Sequence, residues 1–289
     1  MTATLHTAVP TIDRDAARMV ATIDITPVPS PTSRAGTLTT AATFAGRTVK
    51  QFVRTPQLIV VGALTSTMFL LIFRYVFGGA IATGDVAYVD FLIPGLAAAG
   101  AMFSGMGGAV GTAEDVAGGL HDRLRSLPIP RSAVLVGRSL ADTALVGWGL
   151  FVTVAVGFAT GFRFHGSAAG ALVAVVLCLV FGFAWTWPFI LMGLVAGSGQ
   201  AANGLAMLAF PFVFVSSAYV PVDSMPGWLQ PVAEHQPVTA MIGSIRALVL
   251  GDDAALGHSA GWFTVRALVW SAVIVAVFLP LATRRFARR

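Results

Sequence analysis

The amino-acid sequence predicts an all-α polytopic membrane protein, and three observations carry that expectation. Of its 289 residues, 56% are hydrophobic and 11% charged, whereas about a quarter of a soluble chain is charged; mean hydropathy is +0.81. The apolar residues form repeated runs long enough to cross a hydrocarbon core about 30 Å thick. The arginines stand at the ends of those runs. Only helices and closed barrels span a bilayer, because no water is there to satisfy the backbone. Runs that are continuous rather than alternating give a barrel no periodicity to rest on.

Residues 1–36 are polar, carry Pro10, Pro27, Pro29 and Pro31, and lack the basic start and apolar stretch of a secretory signal. They are expected to be a disordered cytoplasmic tail. In the next stretch, 38–54, Leu38, Ala42, Ala45, Val49 and Phe52 share a helical stripe that Arg47, Lys50 and Arg54 avoid. This pattern predicts an interfacial amphipathic helix that also serves as a basic flank to the first span. Six spans are expected at about 57–77, 87–110, 133–162, 168–197, 201–220 and 260–282, within one transmembrane domain over 37–289.

Orientation follows from the cations. One side collects Arg47, Lys50 and Arg54, then Arg123, Arg125, Arg131 and Arg138, then Arg284, Arg285, Arg288 and Arg289. The other has Arg74, Arg163, Arg246 and Arg266 among Asp85, Asp90, Asp223, Glu234, Asp252 and Asp253. The bias predicts an inner-membrane protein with both termini cytoplasmic. In the long external connection 221–259, Val238 to Leu250 is apolar but too short to span, which suits a re-entrant helix. Trp228 and Trp262 suit the headgroup level.

The pI near 10.3 raises nucleic acid as a partner, but cations placed for topology exclude that reading. Arg74, Asp90, Arg138, Asp142 and Arg266 lie near span ends, where snorkelling or local pairing accounts for them. Arg138 and Asp142, four apart, are expected to pair on one helical face. His6, His121, His165, His235 and His258 make no metal-ligand pair at helical spacing. No catalytic or metal-binding residue is therefore expected. Cys178 stands alone inside a span and reads as a small packing residue. Gly105, Gly107, Gly108 and Gly111 read as packing glycines rather than a phosphate loop. The one lysine, Lys50, lacks the glycine-rich lead of a nucleotide-binding loop. Any use of ATP would belong to another subunit. A proton- or sodium-driven carrier would want buried mid-membrane carboxylates, and none is evident.

One interval is crowded with charge: EDVAGGLHDRLRSLPIPRSAVLVGRSLAD, residues 114–142. Val116, Leu120, Leu124 and Leu127 recur at helical spacing, with Asp115, Asp122 and Arg125 opposite, and Pro128 and Pro130 stop the pattern. Topology needs the arginines but not Glu114, Asp115, Asp122 or the leucine stripe. A short helix of both charges suits docking onto a partner; a solvated amphipathic loop is the plainer alternative.

That interval resembles the signature region of ABC-2 type transporter permeases of the daunorubicin-resistance group. The stretch SSAYVPVDSMPGWLQPVAEHQPVTAMIGSIRALVLG, 216–251, resembles the same group, and the likeness runs from about Leu38 to Arg285. It implies six membrane helices, an N-terminal amphipathic connecting helix, short re-entrant helices outside, and a cytoplasmic coupling helix between the second and third spans. Glu114, Asp115, Leu120, Asp122, Arg123, Leu124, Arg125 and Arg131 would then contact a separate ATP-binding subunit, with Gly118 and Gly119 shortening or bending that helix. The implied partners are two ATP-binding subunits carrying ATP and magnesium, a second permease, identical or homologous, the bilayer, and a hydrophobic drug or lipid cargo. Export of a polysaccharide or lipid-linked glycan is the alternative within the fold; a membrane enzyme or assembly factor is the alternative outside it. Phe181, Trp185, Phe210 and Phe214 are candidate pathway residues, with core packing or lipid contact as the competing reading of such aromatics.

Overall fold

The computed structural model describes Gly46, Lys50, Arg54 and residues 56–81, 83, 86–119, 131–251 and 258–288. The expected tail 1–36 lies outside these residues, as does all of the connecting helix except Gly46, Lys50 and Arg54. Among the described residues there is no strand. The helices are α1 (Pro56–Leu71), continued by a π-helical stretch Ile72–Phe77, α2 (Tyr88–Phe103), α3 (Gly105–Ala117), α4 (Arg131–Ala159) and α5 (Ala168–Ala196). After them come α6 (Gly199–Ala206), α7 (Phe210–Phe214), α8 (Gln230–His235), α9 (Pro237–Leu250) and α10 (Ala260–Arg288).

Five segments are long and apolar enough to cross a membrane: Val60–Phe77, Tyr88–Ala117, Val134–Ala159, Ala168–Ala196 and Ala260–Arg288. They coincide with the first four expected spans and the last. The second reaches Ala117 rather than 110, because α3 takes up directly from α2 at Ser104. The last reaches Arg288, six residues past the expected end.

The remaining expected span, 201–220, is broken. Its helix runs from α6 through a 3-10 turn, Met207–Ala209, into α7, which stops at Phe214. The hydroxyl of Ser216 donates to the carbonyl of Val213 (2.6 Å) and accepts from the amide of Ala218 (3.1 Å). These bonds satisfy backbone groups that a continuing helix would have used. Gly199–Phe214 is one of the shorter apolar helical stretches, about 24 Å long at 1.5 Å per residue, and so falls short of the hydrocarbon thickness.

Helix α5 is the centre of the bundle, packed on α10, α3, α4 and α9. The Ser167 side chain caps its start by accepting from the amide of Gly170 (3.0 Å), and Gly197 at φ 76° ends it. Phe181, Trp187, Phe189 and Ile190 along it are buried. Its small residues let neighbours approach closely: at Gly193 there is no room for a β-carbon beside the carbonyl of Ala109. By contrast α1 exposes Val60, Val61, Leu64 and Met68, and α4 exposes Trp148 and Phe151. In lipid such apolar surface costs nothing, since hydrocarbon is as apolar as leucine.

Candidate functional site

The end of the bundle that carries Glu114 and Asp115 is built from the last turns of α3 and the first of α4. Gly118 caps α3, and Gly119 at φ 70° turns the chain out of it. Glu114 and Asp115 therefore sit on the tail of the second membrane helix, not on a separate coupling helix. Leu120, Asp122, Arg123, Leu124 and Arg125 lie outside the described residues. Arg131 opens α4, and its side chain is likewise outside them. The Glu114 side chain lies over Gly199 at the start of α6, where the helix dipole favours a carboxylate.

Asp115 is joined by a residue that charge placement alone had assigned to topology. Nη1 of Arg138 donates to Oδ2 of Asp115 at 3.0 Å, and Nη2 donates to the carbonyl of Gly107 at 3.3 Å. Nε of Arg138 stands 3.7 Å from Oδ2 of Asp142, so the expected pair four residues apart is present. Asp115 is half exposed and Asp142 fully buried, their side chains 49% and 2% accessible. The glycines of α3 make this possible: a β-carbon at Gly108 would strike the Asp142 carboxylate, and one at Gly111 the Arg138 guanidinium. Gly105 is likewise pressed by the Phe189 ring of α5.

At the far end, where α2 begins, another arginine organises the packing. Arg246 of α9 is 1% exposed. Its Nε and Nη2 donate to the carbonyl of Phe91 (3.2 and 2.9 Å), and Nη2 donates also to that of Ser217 (2.7 Å). The guanidinium carbon lies 3.5 Å from the centre of the Phe91 ring. The amide of Ser217 in turn donates to the Thr239 hydroxyl of α9 (3.3 Å), and the Tyr88 hydroxyl to the carbonyl of Tyr219 (3.1 Å). Arg246 thus fastens α9, α2 and the turn after α7 together. The sequence read it only as a cation of the outer side.

The four candidate pathway residues divide. Phe181 is fully buried and Trp185 nearly so, edge-on to one another at 6.1 Å inside the subunit. On α7, Phe214 is exposed and Phe210 half-buried. They belong to a file of rings in which Phe103 meets Phe210 at 4.7 Å, Phe210 meets Phe214 at 6.2 Å, Phe214 meets Tyr219 at 5.4 Å and Tyr219 stacks on Phe73 at 4.3 Å. Trp185 touches its flank through Phe212 at 5.9 Å. Among the described residues no three His, Cys, Asp or Glu side chains gather as a metal site would require.

Against known proteins, a family model described as ABC-2 type transporter matches residues 41–250. A daunorubicin resistance ABC transporter permease protein of Streptomyces coeruleorubidus is 31% identical over 256 residues, 88% of each chain. A probable doxorubicin resistance ABC transporter permease protein of Mycobacterium tuberculosis is 26% identical over 268 residues, covering 89% of this chain and 95% of its own length.

Proposed function

This chain belongs to the ABC-2 type transporter family, and on that premise we propose that it is the membrane subunit of an ATP-driven exporter of hydrophobic or amphipathic compounds, drugs or lipids. The observation that carries the reading is the match over residues 41–250, which takes in the charged interval and the external stretch alike. The named relatives are drug-resistance permeases, which supports an amphipathic cargo.

In this reading the chain is an integral protein of the plasma membrane with both termini cytoplasmic, and the broken segment after α5 supplies a sixth crossing. Two ATP-binding subunits hold ATP and magnesium, and a second permease, identical or homologous, completes the pathway. Closure of the ATP-binding subunits presses on the segment between α3 and α4, where Glu114, Asp115, Leu120, Asp122, Arg123, Leu124, Arg125 and Arg131 make the contact. The segment joins the last turn of α3 to the first of α4, at the ends of the second and third spans, so a push there bears on both helices. Within the ring file from Phe103 to Phe73, the exposed Phe214 offers a cargo an uncharged aromatic face that stacks without demanding a fixed partner.

The test is co-expression with a candidate ATP-binding subunit, purification through a tag on this chain, and assay in inverted vesicles. ATP-dependent accumulation of daunorubicin by vesicles holding both subunits, and none by either alone, is the expected result. A chain that exports without any ATP-binding subunit, or retains none on purification, would sink the reading.

A further inference from the structure

The ion pairs found among the described residues both belong to Arg138. One guanidinium serves two carboxylates, and it serves them unequally. Toward Asp115 on α3 it makes a full hydrogen bond at 3.0 Å. Toward Asp142 on its own helix it stands at 3.7 Å, and neither Nε of Arg138 nor Oδ2 of Asp142 has a hydrogen-bond partner. A shift of about 1 Å would bring that pair to the length of a charge-assisted bond. The carboxylate engaged now is the wet one; the one left waiting is the buried one.

The surroundings are shaped for this arrangement. Gly108 and Gly111 give α3 a face without side chains, in which Asp142 and Arg138 lie, and Arg138 also reaches the carbonyl of Gly107. Helix α3 packs chiefly on α5 and meets α4 over a much smaller surface. Arg138 is therefore the main polar tie between the two helices that flank the segment 118–130.

Resting on the coupling role proposed above, we infer that Arg138 is a positioning residue of the transport cycle that passes between Asp115 and Asp142. Held by Asp115, it fastens α3 to α4. Drawn to Asp142, it releases Asp115 and the carbonyl of Gly107, and the cost of release is small because Asp115 turns to water or to the ATP-binding subunit while a buried carboxylate gains its donor. Exchange between a wet and a dry partner keeps the two states close in free energy, as a bistable element requires.

The experiment uses the complex with its ATP-binding subunit in proteoliposomes, with daunorubicin as probe. It reads drug molecules moved per ATP hydrolysed, alongside the melting temperature of the complex. Asp142→Asn keeps the shape and removes the second berth; the ratio is expected to fall at least tenfold with melting temperature unchanged or raised. Asp115→Asn, at a half-exposed position that folding tolerates, removes the first berth and is expected to lower the ratio by as much. The double variant should be no worse than either single one, because both act on one exchange. Arg138→Lys, which offers one ammonium in place of a fork, should lower the ratio as well. A ratio within twofold of wild type in Asp115→Asn or Asp142→Asn overturns the inference. So does a loss of melting temperature with hydrolysis and export falling together, the mark of a merely structural pair. A wild-type complex that hydrolyses ATP and moves no drug overturns the exporter reading instead, before any variant is made.

Discussion

Replacing Arg246 by lysine is expected to harm the protein more than replacing it by methionine. The guanidinium makes three hydrogen bonds to two carbonyls, those of Phe91 and Ser217. Lysine keeps the charge, but its donors radiate from one nitrogen without the planar fork that reaches two carbonyls from separate nitrogens, and it is expected to keep one of the three bonds. Two charge-assisted bonds are then lost at about 1.5–3 kcal/mol each, a cost of roughly 3–6 kcal/mol, while the desolvated charge remains. Methionine loses all three bonds and also removes the charge. The carbonyl of Phe91 lies inside α2, where the amide four residues on is Gly95, so an intrahelical donor remains for it. The Ser217 carbonyl is left alone at about 1–3 kcal/mol, but Nη1 of Arg246, buried without a partner, is removed with the charge and offsets a similar amount. Arg246→Met is therefore expected within about 2 kcal/mol of wild type.

The two variants are compared by thermal unfolding in nanodiscs, followed by the fluorescence of the six tryptophans. Arg246→Lys should melt roughly 5–10 °C below Arg246→Met. The reverse order, or a lysine variant indistinguishable from wild type, would refute the argument. It would mean that the positive charge, not the planar fork, is what the Phe91 ring and the two carbonyls hold.

Three further outcomes test the packing. Gly193→Leu forces a side chain against the carbonyl of Ala109 and should cost about 3 kcal/mol, whereas Gly107→Ala meets nothing within 4 Å and should gain roughly 0.5–1 kcal/mol; parallel melting curves read both. Phe181→Ala, at a fully buried ring, should cost about 3–5 kcal/mol, while Phe214→Ala, 51% exposed, should leave the melting temperature in place and lower drug export, so that swapped effects would remove the ring file from the pathway. Cys178 is buried, and a maleimide should label it in denaturant but not in the folded protein; ready labelling in nanodiscs would contradict the packing of α5.

The spans were legible because a hydrocarbon solvent writes itself into the sequence as uninterrupted apolar runs, and those of α1, α2, α4, α5 and α10 stand where the runs predict. Where reading stopped, the missing information was the identity of a neighbour. Gly108 and Gly111 announce a close approach, but spacing does not reveal that the approaching groups are a carboxylate and a guanidinium from α4. Arg246 enters a topology argument only as one of the cations assigned to the outer side. Its pinning to Phe91 and Ser217 depends on which carbonyls a broken helix leaves unclaimed, and that break, made by the hydroxyl of Ser216, is itself invisible to hydropathy. Phe181 and Phe214 look alike as aromatic members of apolar helices. Only the packing around α5 and α7 separates an interior ring from an exposed one.

The two arginine systems, one buried and one partly exposed, differ in a way that bears on how such a protein moves. Arg246 is held by backbone carbonyls, which belong to helix and turn and cannot move apart without unmaking local structure. Arg138 is held by one backbone carbonyl, that of Gly107, and by side-chain carboxylates, one wet and one dry, which can trade places while every helix stays intact. Phe91 and Asp115 are separated by nearly the whole length of α2 and α3, on the order of 35 Å. One end of the same helical path is thus pinned and the other adjustable. A displacement applied at the Asp115 end would be taken up by the exchange at Arg138. It would reach the far end as a tilt of α2 and α3 about the Phe91 contact rather than as a loss of packing there. Loosening the pin by Arg246→Lys should therefore degrade export beyond its effect on abundance, because a lever without a fulcrum transmits no tilt. Arg246→Met, which loses all three bonds yet retains the fold, should also lower export per folded molecule; wild-type export in that variant would reduce the lysine effect to simple destabilisation.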